Sequence, residues 1–306
     1  MDPQTRAFLD AITLAKGPSL ATLPPLEARA IFSGLTDLFL PETEVAEVMD
    51  HCSPGGIPFR MYRPFGAPEE PLPTVLYLHG GGWVMGDVGT HDTLCRHLAN
   101  AGQIMVASVD YRLSPEHSFP GALEDCQGVL HHLVEEAPNF GIDPKRVGVA
   151  GDSAGGNLSA ALAIKNRDEQ GPPLRAQLLV YPVIDARCDT ASYEAFATDH
   201  GLSKDEMLYF WRSYLGDIDG AHPLASPNQT LDLSGLPPAR VITAEYDILR
   251  DEGEAYAEQL RVAGVWVELE RYDGVIHGFF HFAGMMDRGR EAIEKEARWL
   301  GQQLRG

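Results

Sequence analysis

The segment Gly151-Asp152-Ser153-Ala154-Gly155-Gly156 constrains the fold more than any other stretch of this 306-residue chain. It follows the apolar run Val147–Ala150, which predicts a short buried strand, and it precedes Asn157–Ile164, an alanine-rich run that favours a helix. A serine between a strand and a helix, with glycines two positions before and after it, is typical of a nucleophile elbow. The alternative is a glycine-rich tight turn that happens to contain a serine.

Asp247 and His277 stand where the partners of a catalytic serine are expected. Ser153, Asp247 and His277 each fall just after a predicted strand, and their order along the chain is that of an α/β-hydrolase triad. The histidine would take the serine proton and pass it to the leaving group, while the carboxylate would hold the imidazole tautomer. Asp251 and Asp273 are the alternative acids. We prefer Asp247 because it follows its strand most closely.

A run of glycines, His79-Gly80-Gly81-Gly82-Trp83, follows another apolar stretch that predicts a buried strand. Consecutive glycines are costly to order, so they indicate a place where main-chain N–H groups must face a cavity. We predict an oxyanion hole formed by the N–H groups of Gly81, Gly82 and Ala154. A flexible loop is the alternative. We interpret His79 as a residue that orients this loop by hydrogen bonding, not as a base.

The alternation of apolar strands and amphipathic helices predicts an α/β fold with a mostly parallel, eight-stranded central sheet and helices on both faces. Active sites in such sheets lie beyond the carboxyl ends of the strands. The strands are predicted at residues 45–50, 57–63, 74–78, 104–109, 147–150, 176–181, 239–244 and 265–271. The first two strands should form an antiparallel pair at one edge. Helices are predicted at residues 4–16, 26–40, 120–136, 204–215 and 288–304, and in the stretch that ends near residue 263.

Residues 185–232 interrupt the alternation of strands and helices. They include an aromatic-rich helical run at 204–215, whose aromatic side chains could line a substrate pocket or pack the helix on the body. We take Trp83, Phe210 and Trp211 as candidate substrate-binding residues.

Composition limits the partners. The formal net charge of −20 disfavours nucleic acid and anionic membrane, and it suits a neutral substrate. The four cysteines lie at no metal-ligand spacing, so we expect neither a metal nor another cofactor. The N-terminus lacks the pattern of a signal peptide, and no apolar run reaches the ~20 residues of a membrane-spanning helix. We expect a cytoplasmic protein with reduced thiols and no stable membrane insertion.

Five segments together resemble the hormone-sensitive-lipase-like (bacterial family IV) esterases of the α/β-hydrolase superfamily. They are His79–Trp83, Asp110–His117, Gly151–Gly156, Asp247–Gly253 and His277–Phe279. The similarity spans roughly residue 45 to the C-terminus. Ile248 stands where proline is common in the family, and Ser114 where alanine is common; neither position touches the chemistry. Asp110 and Arg112 could pair to brace the site, or form an ordinary surface ion pair.

The resemblance implies a single α/β-hydrolase domain, 1–306, with a helical cap formed by about 1–45 and 185–232. It also implies cofactor-free carboxylesterase activity on small-molecule esters with short to medium acyl chains. The family often dimerises through its edge strand, here Val265–Arg271, so a homodimer is an expectation.

Two other functions remain open at the level of sequence. A non-catalytic small-molecule-binding protein could share the fold, because fold alone does not fix function, although such proteins typically lose a triad member and His277 is present. Amide or formamide hydrolysis would use the same triad as ester hydrolysis, so the residues do not distinguish the two reactions.

Overall fold

The computed structural model describes residues 1–15, 17–35, 38 and 40–306, and these residues contain one eight-stranded sheet flanked by helices. The strands are Glu47–Cys52 (β1), Pro58–Arg63 (β2), Leu72–Leu78 (β3), Met105–Val109 (β4), Ile142–Asp152 (β5), Leu174–Val180 (β6), Ala239–Tyr246 (β7) and Val267–Ile276 (β8). The helices are Pro3–Ala15 (α1), Pro25–Ser33 (α2), Asp92–Gly102 (α3), Gly121–Glu135 (α4), Ala137–Phe140 (α5), Ala154–Asp168 (α6), Ala191–Ala195 (α7), Lys204–Leu215 (α8), Arg250–Val262 (α9) and Asp287–Arg305 (α10).

The strand order across the sheet is β1-β2-β4-β3-β5-β6-β7-β8. β2 pairs antiparallel with both β1 and β4, and every other neighbouring pair is parallel. The predicted fold class and the predicted antiparallel pair at one edge are therefore confirmed. β3 and β4 are buried at every residue, as strands covered by helices on both faces must be.

Alternate residues of β3 show how the sheet divides the core into two layers. Leu76 and Leu78 belong to the cluster that includes apolar residues of α4 and α6. Val75 and Tyr77 point the other way and belong to the cluster that includes apolar residues of α3 and α10. Because side chains alternate along a strand, each central strand fills both layers. This double cover holds the carboxyl ends of the central strands β3, β5 and β7 in place.

The prediction of a helix over residues 26–40 is too long, because α2 ends at Ser33 and residues 34 and 35 form a turn. After Ser33 the helical bonding gives way to a turn, in which the N–H of Leu35 donates to the Phe32 carbonyl, three residues back, at 3.1 Å. Residues 36, 37 and 39 of that prediction, and residue 16 of the first predicted helix, lie outside the described residues. The aromatic-rich helix has the predicted bounds, 204–215.

The segment between β6 and β7 is attached to the body next to the elbow helix. Asn157, one turn into α6, donates from its side-chain amide to the carbonyls of Val183 and Ala225, at 3.0 and 2.9 Å. The buried Glu252 carboxylate on α9 accepts the Ile184 N–H at 2.6 Å, and burial raises the pKa of this carboxyl. These bonds attach the start of the inserted segment and the stretch around Ala225 to the body. Within the described ranges, no helix has the length and apolar character that a membrane crossing requires.

Candidate active site

Ser153 lies in the strained turn between β5 and α6. Its φ of 55° and ψ of −118° are rarely adopted by a residue other than glycine. A Cβ on Gly151 would lie 2.3 Å from the Gly155 carbonyl oxygen, and one on Gly155 would lie 1.9 Å from that of Leu78. Only glycine fits at either place, so the two flanking glycines permit the close approach of strand and helix that the sequence predicts.

The three predicted triad residues lie in hydrogen-bond contact. Ser153, Asp247 and His277 each follow directly the last residue of a strand, namely β5, β7 and β8. The Nε2 atom of His277 is 3.0 Å from the Ser153 Oγ, and its Nδ1 is 2.8 Å from the Asp247 Oδ2. Asp247 is buried, and the imidazole is 12% exposed. The alternative acid Asp251 instead accepts the N–H of Ser192 at 2.8 Å, on the inserted segment.

The glycine loop forms a tight turn beside the serine. Gly81 and Gly82 have φ values of +114° and +62°, and a Cβ on Gly81 would lie 2.3 Å from the Met85 carbonyl oxygen. The N–H groups of Val84 and Met85 both donate to the Gly81 carbonyl, at 3.1 and 2.9 Å. Among the described residues, no hydrogen bond is donated by the N–H of Gly81 or Gly82. The N–H of Ala154 opens α6, where amides lack an intrahelical acceptor.

Asp152, to which the sequence analysis assigned no separate role, hydrogen-bonds to the glycine loop. Its buried carboxylate accepts the Tyr77 hydroxyl at 2.7 Å and the Gly80 N–H at 3.0 Å, and it lies 3.4 Å from His91 Nε2. Burial alone would raise the pKa of this carboxyl, but the His91 ring and the Tyr77 hydroxyl hold the pKa below its usual value. The signal in the sequence is an acidic residue between a buried apolar run and the serine, where an unpaired carboxylate would be costly.

His79 is buried and stays outside the triad. Its ring stacks on that of Tyr111 at 4.1 Å between centroids and 11° between planes, and the Tyr111 hydroxyl donates to the His79 carbonyl at 2.6 Å. Burial and the neighbouring His91 ring lower the pKa of His79 to about 4, so the ring is neutral near pH 7. These contacts suit the predicted role of fixing the start of the glycine loop.

The predicted ion pair between Asp110 and Arg112 is wrong. Arg112 pairs with Asp125 on α4, with contacts of 2.6 to 3.0 Å from the guanidinium and 2.9 Å from the main-chain N–H. Asp125 is 4% exposed, so its carboxylate needs strong donors, and the planar guanidinium supplies several from one side chain. Asp110 was the expected partner of Arg112 because it is near in sequence. Asp125 is the actual partner because it lies on the buried face of α4, where its carboxylate needs donors.

The three candidate substrate-binding aromatics lie between the glycine loop and α8. Trp83 is fully buried, with its ring stacked on Tyr214 at 4.1 Å and 2°, and 4.8 Å from the ring of Trp211. The Phe210 ring lies against Gly82, where an added Cβ would meet it at 2.4 Å. These aromatic side chains therefore pack α8 on the body of the protein, which is one of the two roles expected for them. Contact of Trp83, Phe210 and Trp211 with substrate stays a prediction.

The distribution of metal-ligating side chains and of thiols is the remaining feature of the site's surroundings. Among the described residues, no group of three or more His, Cys, Asp or Glu side chains is arranged to hold a metal ion. The four cysteines are free thiols, and Cys95, Cys126 and Cys188 are buried. The residues that converge at the site are thus a hydroxyl, an imidazole, a carboxylate and main-chain amides, a set suited to acyl transfer.

The sheet order, the elbow and the hydrogen-bonded Ser-His-Asp line define the class of α/β hydrolases. A family profile described as the α/β hydrolase fold matches residues 75–281. The chain therefore belongs to this α/β-hydrolase family, and the resemblance to the hormone-sensitive-lipase-like esterases is confirmed.

Curated relatives and solved structures are similar over most of the chain. Carboxylesterase NlhH of Mycobacterium tuberculosis is 42% identical over 258 residues, which cover 83% of this chain and 81% of that protein. Ethyl acetate hydrolase of Pseudomonas putida is 37% identical over 254 residues, covering 81% and 79%. The ester hydrolase EH1AB1 from the Lake Arreo metagenome is 40% identical, with a TM-score of 0.95 and full coverage of both chains. The esterase of Pyrobaculum calidifontis is 39% identical, with a TM-score of 0.92 and coverage of 99% and 98%.

Proposed function

We propose that the protein is a carboxylic ester hydrolase that forms an acyl-enzyme on Ser153. The names of its relatives, at 35 to 44% identity, support ester hydrolysis as the reaction. The observation that carries the mechanism is the continuous hydrogen-bond line from the Ser153 Oγ through His277 to Asp247, at 3.0 and 2.8 Å.

In acylation, Ser153 Oγ attacks the ester carbonyl carbon while His277 Nε2 takes the hydroxyl proton. Asp247, bonded to Nδ1, holds the tautomer that leaves Nε2 free to accept, and it stabilises the imidazolium that forms. The tetrahedral oxyanion receives hydrogen bonds from the N–H groups of Gly81, Gly82 and Ala154. The bond from carbon to the alkoxy oxygen then breaks, and His277 gives its proton to the departing alcohol.

In deacylation, water attacks the acyl carbon while His277 again acts as base. Collapse of the second tetrahedral intermediate releases the carboxylic acid and returns the proton to the Ser153 Oγ. The oxyanion donors are main-chain groups held by the loop and by the start of α6, so they need not reorganise when charge develops. Each such donor is worth on the order of 10²–10³ in rate.

We further propose that residues 1–45 and 185–232 form a cap over this site within a single domain. The aromatic side chains of α8 that pack on the glycine loop support this assignment. Phe210, against Gly82, would border a pocket for short to medium acyl chains. The net charge of −20 favours a neutral ester and disfavours nucleic acid. β8 is an edge strand of the sheet, which suits a homodimer joined through this strand. We also propose that the protein is cytoplasmic.

The test is hydrolysis of p-nitrophenyl esters from acetate to laurate by the wild-type protein and by Ser153→Ala. We expect turnover highest at short to medium chains and lost in the variant, with circular dichroism showing that both are folded. Equal rates for the two proteins would remove Ser153 from the mechanism. A folded wild-type protein that neither hydrolyses these esters nor reacts with a fluorophosphonate would instead indicate a binding protein.

A further inference from the structure

Arg29, on α2, contacts the loops of the active site from the N-terminal segment. Its Nε donates to the carbonyl of Val84 at 2.7 Å, and its Nη2 donates to the carbonyl of Ser114 at 2.9 Å. Val84 belongs to the turn formed by the glycine loop, and Ser114 belongs to the loop after β4. The Arg29 side chain is 21% exposed, so water only partly competes for these carbonyls.

Glu116 holds the guanidinium in place. Its two carboxylate oxygens accept from Nη1 and Nη2 of Arg29 at 3.0 and 2.6 Å, a fork-to-fork pair that fixes the plane of the guanidinium. The N–H of Ser114 donates to the Trp83 carbonyl at 2.9 Å, so the two loops are also joined directly. Arg29 thus closes a small network that spans both loops.

Two peptide planes connect Arg29 to a proposed oxyanion donor. The Val84 carbonyl that accepts from Arg29 shares its peptide unit with the N–H of Met85, and that N–H donates to the Gly81 carbonyl at 2.9 Å. The Gly81 carbonyl in turn shares its peptide unit with the N–H of Gly82. A trans peptide directs its N–H opposite to its C=O, so each bond in this series sets the direction of the next.

We propose that Arg29 is a positioning residue for the oxyanion hole, acting through these two peptide units on the N–H of Gly82. The Nε–H of Arg29 at one end of the series polarises each hydrogen bond toward the developing oxyanion at the other end, because hydrogen bonds in a chain strengthen one another. Glu116 offsets the guanidinium charge, so Arg29 acts here through the placement of its donors. The loop needs an external anchor because Gly81 and Gly82 have the freest backbones of any residue type. This inference rests on the proposed esterase function, and it makes the N-terminal segment part of the catalytic unit.

The direct test is Arg29→Met, with kcat measured per active site after end-point titration with a fluorophosphonate. A donor misplaced by a fraction of an ångström weakens mainly the transition state, so kcat should fall by roughly 10- to 100-fold. KM should change by less than about threefold, because the lost interaction develops with the oxyanion. Inhibition by a trifluoromethyl ketone, which forms a tetrahedral adduct on the serine, should weaken in parallel with kcat.

Arg146→Met is the matched control. Arg146 donates to the Asp143 carboxylate and to the Pro71 carbonyl, both at 2.7 Å, and its side chain is 30% exposed. It lies in the first half of β5, toward the end of the sheet opposite Ser153. Losing this set of contacts should lower the melting temperature and leave kcat per active site unchanged.

Arg29→Lys keeps the charge but cannot bridge two carbonyls and a carboxylate at once. Its kcat should lie between those of wild type and Arg29→Met, and it provides the same test should Arg29→Met not fold. Wild-type kcat per titrated site in both variants, with only the melting temperature lowered, would overturn the inference and leave Arg29 a structural residue. Failure of the proposed function is distinguishable, because the wild-type protein itself would then show no ester turnover.

Discussion

Substitution of Gly82 by alanine tests the contact between α8 and the glycine loop. Gly82 has a φ of +62°, and its added Cβ would lie 2.4 Å from ring carbons of Phe210. Ordinary contact begins near 3.4 Å, so the loop and the ring must separate by about 1 Å. Phe210 is 4% exposed, so the ring has little free space to move into.

Two effects contribute to the stability change in Gly82→Ala. The left-handed backbone costs an alanine roughly 1–2 kcal/mol, and overpacking in a filled interior typically costs about 1–3 kcal/mol. The displacement has a separate effect on catalysis, since a shift of ~1 Å at positioned groups can cost about 10²-fold in rate. We therefore expect kcat to fall by roughly 10²-fold in the fraction that remains folded.

The assay compares p-nitrophenyl butyrate turnover per titrated active site across four variants. Gly56→Ala is the control for the backbone, because Gly56 has a φ of +80° and no atom within 4 Å of an added Cβ. It should lose stability by roughly 1–2 kcal/mol with kcat unchanged. Phe210→Ala removes the clash, so the double variant Gly82→Ala/Phe210→Ala should regain about tenfold in kcat over Gly82→Ala.

Two outcomes would refute this reasoning. Wild-type kcat in Gly82→Ala would mean that the loop tolerates the displacement, so that the position of its amides does not limit catalysis. A double variant no faster than Gly82→Ala would mean that the Phe210 ring is not the obstacle, and that α8 does not press on the loop as the structure has it.

Three further predictions concern the triad, the loop and the elbow. Asp247→Asn should keep the fold but lower kcat by about 10⁴-fold, since the amide stabilises the wrong imidazole tautomer; a loss below tenfold in steady-state kinetics would contradict this. His79, with a pKa lowered from 6.5 to about 4, stays neutral when folded while the unfolded chain binds a proton. The contribution of this residue to the free energy of unfolding is complete above pH 6.5 and is lost as the pH falls toward 4, by up to about 1.4 kcal/mol per pH unit. In urea titrations, the free energy of unfolding of His79→Gln should therefore fall less steeply with decreasing pH than that of the wild type. Gly155→Ala should not fold, because its Cβ would lie 1.9 Å from the Leu78 carbonyl oxygen; a soluble, cooperatively unfolding variant would refute this.

The pattern of strands and the order of the motifs were enough to predict a mostly parallel, eight-stranded sheet and the residues of the triad. Ser153, Asp247 and His277 were assigned because each follows an apolar run, and in a parallel sheet the carboxyl ends of the strands lie at one edge. The topology of the sheet brings the three residues together, so locating the strand ends in the sequence is enough to predict their contact. The glycines at 151 and 155 reinforce the prediction, because no other residue fits the elbow.

The interactions that support the site could not be predicted in the same way. Asp152 accepts from Tyr77, and Arg112 pairs with Asp125 and not with Asp110. Both pairings depend on which carboxylates become buried when the helices pack on the sheet. The predicted helix from residue 26 ends at Ser33 in a turn closed by the Leu35 N–H on the Phe32 carbonyl, although the apolar spacing continues to Leu38. Such partners are set by tertiary packing, which periodicity along the chain does not encode.

The residue to which a fluorophosphonate attaches shows directly whether Ser153 is the nucleophile. The folded wild-type protein is treated with the probe, digested and mapped by mass spectrometry, with residual ester hydrolysis measured on the same sample. We predict one adduct per chain, on Ser153, with loss of activity in proportion to labelling. Labelling of His277→Ala should be much slower, and Ser153→Ala should not be labelled. A protein that hydrolyses esters but carries its adduct on another residue, or stays fully active when Ser153 is labelled, would contradict it.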